Sequence, residues 1–252
     1  MGMIGREEGA MGFFRAQHEG FMETLATWRD RRDMVPALLS QAYSSFEGNV
    51  AFQVQGFPEV ACKKGCAACC TVRVVATAPE VLLAARYIRH MDGSLQRDGV
   101  NLKARIAEAD EKTRGLGEAQ RMSLRLHCPF IAKGICLIHP ARLFACRGHA
   151  SHDRQACNDA ASGSPIEVPI SMPHRMVRSM VQNAMQSALR DSGYAWGMYE
   201  LNHALSIALD DEGAEDAWRG GCDVFREARI EDIDMLEMAA VFDEIRGLTS
   251  PA

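Results

Sequence analysis

The chain has 252 residues, 47% of them hydrophobic, and a formal net charge of −5 at pH 7. A chain of this length and apolar content can bury a substantial core without relying on disulfides. Its acidic balance provides no general attraction to phosphate groups, so nucleic acid is excluded as a predicted partner.

The N-terminal stretch MGMIGREEGAMGFF contains Glu7 and Glu8 and lacks an apolar run of signal-peptide length. No run in the sequence approaches the roughly 20 apolar residues that are needed to span a bilayer. These features predict a cytoplasmic protein with no membrane partner. In a reducing compartment, clustered cysteines indicate metal binding or catalysis rather than disulfides.

Apolar residues recur at helical spacing from Phe13 to about Phe46, which predicts one or two helices. Val50, Phe52 and Val54 then recur at every second position. This alternation predicts a short strand that leads into the first cysteines.

A helix start is predicted by the sequence Thr77-Ala78-Pro79-Glu80. Thr77 is suited to the N-cap, Pro79 to the first turn, and Glu80, three residues after Thr77, completes a capping box. The predicted helix extends from Pro79 to about His90 and ends at Asp92-Gly93.

Helical patterns return over residues 100–126 and 173–247, and between them residues 127–169 read as a loop that a bound metal would order. We therefore predict a mainly α protein, a helical domain with a Cys-rich, loop-dominated metal-binding centre and little or no β-sheet.

The predicted organisation has three parts that pack as one compact unit. Residues 1–57 form an N-terminal helical segment, residues 58–160 form a cysteine-cluster metal-binding domain, and residues 161–252 form a C-terminal helical segment that packs on it.

Eight of the nine cysteines lie between residues 62 and 157. Thiols concentrated in this way indicate joint ligation of a metal rather than separate apolar packing. Thiolates are soft ligands, so the pattern favours zinc, cuprous copper or an iron-sulfur cluster over calcium or magnesium. The candidate metal ligands are Cys62, Cys66, Cys69, Cys70, Cys128, Cys136, Cys146 and Cys157.

The first cysteines have the spacing C-x3-C-x2-C followed by Cys70, and Gly65 gives the backbone the freedom that wrapping three sulfurs around one centre needs. Neighbouring side chains of an extended segment point to opposite sides. Cys69 and Cys70 therefore predict a polynuclear site, two neighbouring sites, or one ligand and one structural thiol.

Histidines and basic residues accompany these thiols in the sequence. His149 and His152, between Cys146 and Cys157, are the better candidates for additional ligands among His127, His139, His149 and His152. Basic residues near the cysteines could lower thiol pKa values or offset the charge of an anionic cluster. They are Lys63, Lys64, Arg73, Arg142 and Arg147.

Two blocks of the sequence resemble the cysteine-cluster proteins of the YkgJ type, whose shared region is described as a zinc- or iron-chelating domain. The first block is ACKKGCAACC at residues 61–70, with the valine-rich stretch and the Pro79-Glu80 helix start after it. The second runs from Cys128-Pro129-Phe130 through Gly134-Ile135-Cys136 to Arg142 and Cys146-Arg147. In the family an aromatic residue usually stands at His139 and a proline at Leu143.

The resemblance covers about residues 58–160 and implies a metal-chelating protein. The leading hypothesis is a cytosolic protein that binds iron, as an iron-sulfur cluster, or zinc through its clustered cysteines. One alternative is a cluster-dependent enzyme of methyl transfer or redox chemistry, by analogy with flagellin lysine methylases. The other is a helical interaction protein stabilised by structural zinc. Radical-SAM chemistry is disfavoured, because Ala68 replaces the usual aromatic residue and repeated strand-helix units are missing.

Overall fold

The computed structural model describes residues 3–248, with side chains from residue 9 onward. This part of the chain is mainly helical, as predicted. Its helices are α1 (Met3–Trp28), α2 (Met34–Gln53), α3 (Ala78–Arg97), α4 (Leu102–Thr113), α5 (Glu118–Ser123), α6 (Phe144–Gly148), α7 (Arg154–Ala161), α8 (Met172–Asp191), α9 (Leu201–Asp210), α10 (Ala214–Arg219) and α11 (Met235–Arg246). The short strands are β1 (Val75–Thr77), β2 (Ile131–Ala132), β3 (Ile135–Cys136) and β4 (Met198–Glu200).

Helix α8 lies at the centre of the packing and contacts α1, α2, α6 and α11. Its fully buried residues Val181, Ala184, Met185 and Ala188 follow the i, i+3, i+4, i+7 spacing of one helix face. Helix α9 packs against α3 and α4. The buried side chains of these helices belong to one continuous hydrophobic core.

Strands β1 and β4 form an antiparallel pair in which Val75 lies opposite Glu200 and Thr77 opposite Met198. Each strand leads directly into a helix, β1 into α3 and β4 into α9. The pair therefore sets the starts of these two helices side by side, next to the cysteine-rich segments.

Two predicted boundaries are wrong. The predicted strand over Val50–Val54 is instead the last part of α2, which continues to Gln53. Helix α3 continues through Asp92-Gly93 to Arg97, because Leu95 in the additional turn is buried in the core and offsets the cost of about 1 kcal/mol for a helical glycine. The helix ends before Gly99, whose φ of +75° suits glycine.

The predicted capping box at the start of α3 is confirmed. The Glu80 carboxylate oxygen Oε2 accepts hydrogen bonds from the Thr77 backbone N–H at 2.9 Å and from the Thr77 hydroxyl at 2.8 Å. The second oxygen, Oε1, accepts from the backbone N–H of Phe144 at 2.6 Å. Glu80 thereby joins the start of α3 to the start of α6, the helix that carries Cys146.

Candidate metal centre

Seven of the eight candidate cysteines line one cavity of about 700 Å³. They come from two segments more than 50 residues apart and are Cys62, Cys66, Cys69, Cys70, Cys128, Cys136 and Cys146. The eighth, Cys157 on α7, lies outside this lining. Burial is the main cause of the raised pKa of Cys62, and proximity to Cys157 adds a small part of it. Cys222 is exposed and does not line the cavity.

The first cysteine segment is a succession of tight turns. Gly65 has a φ of +87°, in agreement with its predicted role, and the Cys66 N–H donates to the Lys63 carbonyl at 2.9 Å. A further turn joins the Cys70 N–H to the Ala67 carbonyl at 3.0 Å. Because the segment is not extended here, Cys69 and Cys70 both line the cavity and are hydrogen-bonded to each other. The three alternatives predicted for this pair, a polynuclear site, two neighbouring sites, or one ligand and one structural thiol, stay predictions.

The second cysteine segment, predicted as a loop, contains short elements that position its thiols. The Cys128 N–H donates to the Cys70 carbonyl at 2.6 Å, which joins the two segments directly. Strands β2 and β3 form a hairpin that pairs Cys136 with Ile131. Its turn, Lys133-Gly134, has φ values of +51° and +77°, as a type I′ turn requires. Helix α6 then carries Cys146.

The histidines of the second segment separate into two groups. His139 and His149 line the cavity. His152 instead lies with Nδ1 3.1 Å from the Glu59 carbonyl oxygen, and neither it nor His127 belongs to the cavity lining. Of the two preferred histidines, only His149 therefore accompanies the thiols.

Burial raises the pKa of most cavity thiols. It raises the pKa of Cys128 and Cys146 to about 12 and raises those of Cys62 and Cys136 from 9.0. Cys69 is different, since its hydrogen bond with Cys70 lowers its pKa to about 7. Without a cation beside them, the buried thiols favour their protonated form.

The basic residues named in the sequence have distinct partners. Arg73 pairs with Glu118 and Asp232, and Arg147 pairs with Glu47 and stacks on the Tyr43 ring at 4.1 Å. Arg142 lines the cavity, donates to the Cys146 carbonyl at 2.5 Å, and helps to lower the pKa of Cys69. Lys63, Lys64 and Arg73 also line the cavity. Arg142 is the predicted basic residue whose charge acts on Cys69, Cys136 and Cys146.

Sequence reasoning missed Arg178, which α8 contributes to the cavity lining from outside the cysteine-rich segments. A single arginine within a helical pattern has no distinguishing local signal. Only the packing of α8 against α6 brings it to this cavity.

Within residues 3–248, no three or more His, Cys, Asp and Glu side chains form a group that could hold a metal ion. The cavity thiols thus share one space without converging on one point. In the same residues, no helix is both long and apolar enough to cross a membrane.

Comparisons of the chain with protein-family models, curated proteins and solved structures find no match. The resemblance to the YkgJ type therefore stays a prediction that depends on the two cysteine blocks.

Proposed function

We propose that this chain is a cytoplasmic metal-chelating protein of the YkgJ type, which binds iron as an iron-sulfur cluster, or zinc, through the thiols of the cavity. The observation that carries the proposal is the lining of the cavity by seven thiols from two distant segments. Independent burial of thiols as small apolar groups does not account for seven of them lining one cavity.

The chemistry of the donor set fits a soft metal. Thiolates select zinc, copper or iron-sulfur clusters over hard cations, and the cavity contains no other comparable set of donors among the residues described. Burial disfavours the free thiolates, so a bound cation that replaces the thiol protons would remove this cost. The residues that would hold the metal are Cys62, Cys66, Cys69, Cys70, Cys128, Cys136 and Cys146, with Cys157 less directly placed.

The number of thiols favours a cluster or two sites over a single zinc. One structural zinc takes four ligands in a tetrahedron, whereas seven thiols line this cavity. A bound iron-sulfur cluster would supply electron transfer. Arg142, which donates to the Cys146 carbonyl, would offset part of the negative charge of the thiolates.

A cluster-dependent enzyme of methyl transfer or redox chemistry is the second candidate. Its support is the size of the cavity, about 700 Å³, which is within the range of roughly 300–1,000 Å³ typical of small-molecule sites. A purely structural zinc module predicts a closed four-coordinate site instead. The cavity therefore favours the first two functions over the third.

Anaerobic purification followed by metal analysis and a visible spectrum tests the proposal. A brown protein that contains iron and inorganic sulfide would support a cluster, because sulfur-to-iron charge transfer absorbs visible light. A colourless protein with stoichiometric zinc would support the zinc form. A protein that retains neither metal, and does not take up either after reduction and anaerobic reconstitution, would contradict the chelating function.

A further inference from the structure

One wall of the cavity, contributed by α8 and the residue after α6, presents one cation and one imidazole. Arg178 of α8 lines the cavity together with His149, which follows α6 directly. Both side chains are half-buried. Burial lowers the pKa of His149 and the positive charge of Arg178 lowers it further, so the two groups act on each other and His149 favours its neutral form. A neutral imidazole retains one N–H donor.

The guanidinium of Arg178 has no carboxylate partner. Among the residues described, no carboxylate oxygen lies within 4.0 Å of it, and its Nε donates to the Gln182 amide oxygen at 3.3 Å. The nearby carboxylate of Glu80 accepts hydrogen bonds from Thr77 and Phe144 with its two oxygens. Glu118, which also lines the cavity, pairs with Arg73. Both nearby carboxylates, those of Glu80 and Glu118, therefore have other hydrogen-bond or ion-pair partners.

The position of Arg178 depends on a glycine. A Cβ atom at Gly148 would lie 2.7 Å from the Cβ and 2.8 Å from the Cγ of Arg178, closer than real side chains approach each other. Only glycine at this position lets the stem of Arg178 pass along α6. The chain thus makes room for a half-buried cation that no carboxylate among the residues described contacts directly, although the charge of Glu80, more than 4.0 Å away, offsets part of its charge.

Arg142 and Arg178 differ in the groups with which they interact. The hydrogen bond with Cys70 is the main cause of the lowered pKa of Cys69, and the charge of Arg142 adds to it. Burial raises the pKa of Cys136, and the charge of Arg142 opposes this rise. The Arg142 guanidinium also donates to the Cys146 carbonyl. Arg178 approaches the cavity from another element, beside His149. Arg178 also interacts electrostatically with Cys146. Among the residues described, however, its guanidinium makes a hydrogen bond only to Gln182, so its terminal N–H donors remain for a ligand.

We propose that Arg178, with His149 beside it, binds the carboxylate or phosphate group of a small-molecule ligand inside the thiol-lined cavity. A guanidinium presents paired N–H donors that match the oxygens of both groups. The cavity volume of about 700 Å³ accommodates such a ligand. This inference goes beyond metal chelation, because oxyanion binding at Arg178 requires no metal.

Calorimetric titration of the full chain at low salt, before and after metal loading, tests the proposal with inorganic phosphate in one arm and succinate in the other. We expect saturable binding of at least one probe, and the arm with the higher affinity identifies the class of oxyanion. Arg178→Gln should weaken this binding at least tenfold. Arg175→Gln, which removes the same charge from an exposed position of α8, should leave it unchanged.

Absence of saturable binding, or equal weakening by the two substitutions, would overturn the proposal. A lower metal content of Arg178→Gln with unchanged anion affinity would also overturn it, because Arg178 would then only balance the thiolates. If Arg178→Gln does not fold, Arg178→Lys keeps the charge and loses the fork of donors, and it should still weaken binding several-fold. A chain that binds the anion but no metal would contradict the proposed chelating function and leave this inference intact.

Discussion

Helices α1, α2 and α8 stabilise one another through buried apolar side chains, whereas the segments around the thiol cavity are joined by few hydrogen bonds. Phe21, Leu38 and Val181 of these helices are completely buried. Between the cavity segments, the Ala61 N–H donates to the Ser151 carbonyl at 2.8 Å, and the Cys128 N–H donates to the Cys70 carbonyl at 2.6 Å. Apolar burial therefore contributes most of the stability of the helical core and also anchors the second cysteine segment through Phe130 and Ile138, whereas the turns of residues 62–70 gain most from a bound ligand.

Helix α6 connects the two regions. Its first residue, Phe144, is fully buried and packs edge-on against Tyr43 of α2, with ring centroids 5.0 Å apart. Its backbone N–H is bound by Glu80, and Cys146 follows two residues later. Substitutions in α6 should therefore destabilise both the helical core and the cavity segments. Changes elsewhere should affect one of these regions more than the other.

Metal removal should give the largest difference in amide hydrogen exchange between the cavity segments and the helical core. Chelation from the metal-loaded protein should speed amide hydrogen exchange more than tenfold over residues 58–75 and 127–152, because these segments lose their common ligand. Amides of α8 should keep most of their protection. Hydrogen exchange measured by mass spectrometry distinguishes this outcome from unfolding of the whole chain, in which α8 would lose protection to the same extent.

Truncation of the junction should have the next largest effect. Phe144→Ala should lower the free energy of unfolding by about 3–5 kcal/mol, since it leaves a cavity in a packed aromatic cluster. Phe52→Ala on α2 removes the same atoms from a side chain that is 67% exposed, and should change stability by no more than about 0.5 kcal/mol. Urea denaturation measures both, and equal effects would refute the role of Phe144 in the core.

Removal of the Glu80 carboxylate should have a smaller net effect, because burial disfavours the charged carboxylate and its removal offsets part of the cost. Glu80→Ala leaves the N–H groups of Thr77 and Phe144 without their acceptor, and each unsatisfied buried donor costs about 1–3 kcal/mol. The matched control is Glu108→Ala, which removes an exposed carboxylate of α4 that pairs with Lys112. Thermal unfolding of both variants compares them, and a Tm for Glu80→Ala as high as that of the control would count against the connection between α3 and α6.

Protonation of Asp110 at acid pH should have the smallest of these effects on the stability of the helical core. Burial alone would raise the pKa of Asp110 on α4, but hydrogen bonds from Arg114 and His203 outweigh it and lower the pKa from 3.8. Because this pKa is lowered in the folded state, the resulting stability is present above pH 3.8 and is lost as the pH falls through the lowered value. Asp110→Asn should flatten the acid limb of a pH titration of stability. Asp98→Asn, which changes an exposed aspartate, should keep the acid limb of the unmodified protein. Acid limbs of equal slope in the two variants would contradict the role of Asp110.

The features predicted correctly depend on local sequence. The capping box at Thr77 and Glu80, the turn at Gly65 and the predominance of helix follow from residue types within a few positions of each other. Local patterns also account for the errors. The alternation of Val50, Phe52 and Val54 resembles a strand, but Phe52 is exposed on a helix.

The composition of the cavity could be predicted only in part, because its remaining features depend on long-range packing. The thiols were identifiable by their concentration in the sequence. The contributions of Arg178, of Gly148 and of the bond between Glu80 and Phe144 depend on how α6 packs against α8 and α3. Similarly, Cys69 and Cys70 reach the same cavity because turns replace the extended backbone that was assumed.

Metal content per chain in two cysteine variants tests the central claim most directly. After anaerobic purification, Cys66→Ser should contain much less metal than the unmodified protein, because it removes a thiol of the cavity. Cys222→Ser, which removes an exposed thiol outside the cavity, should contain as much as the unmodified protein. Equal metal content in the two folded variants would contradict the account.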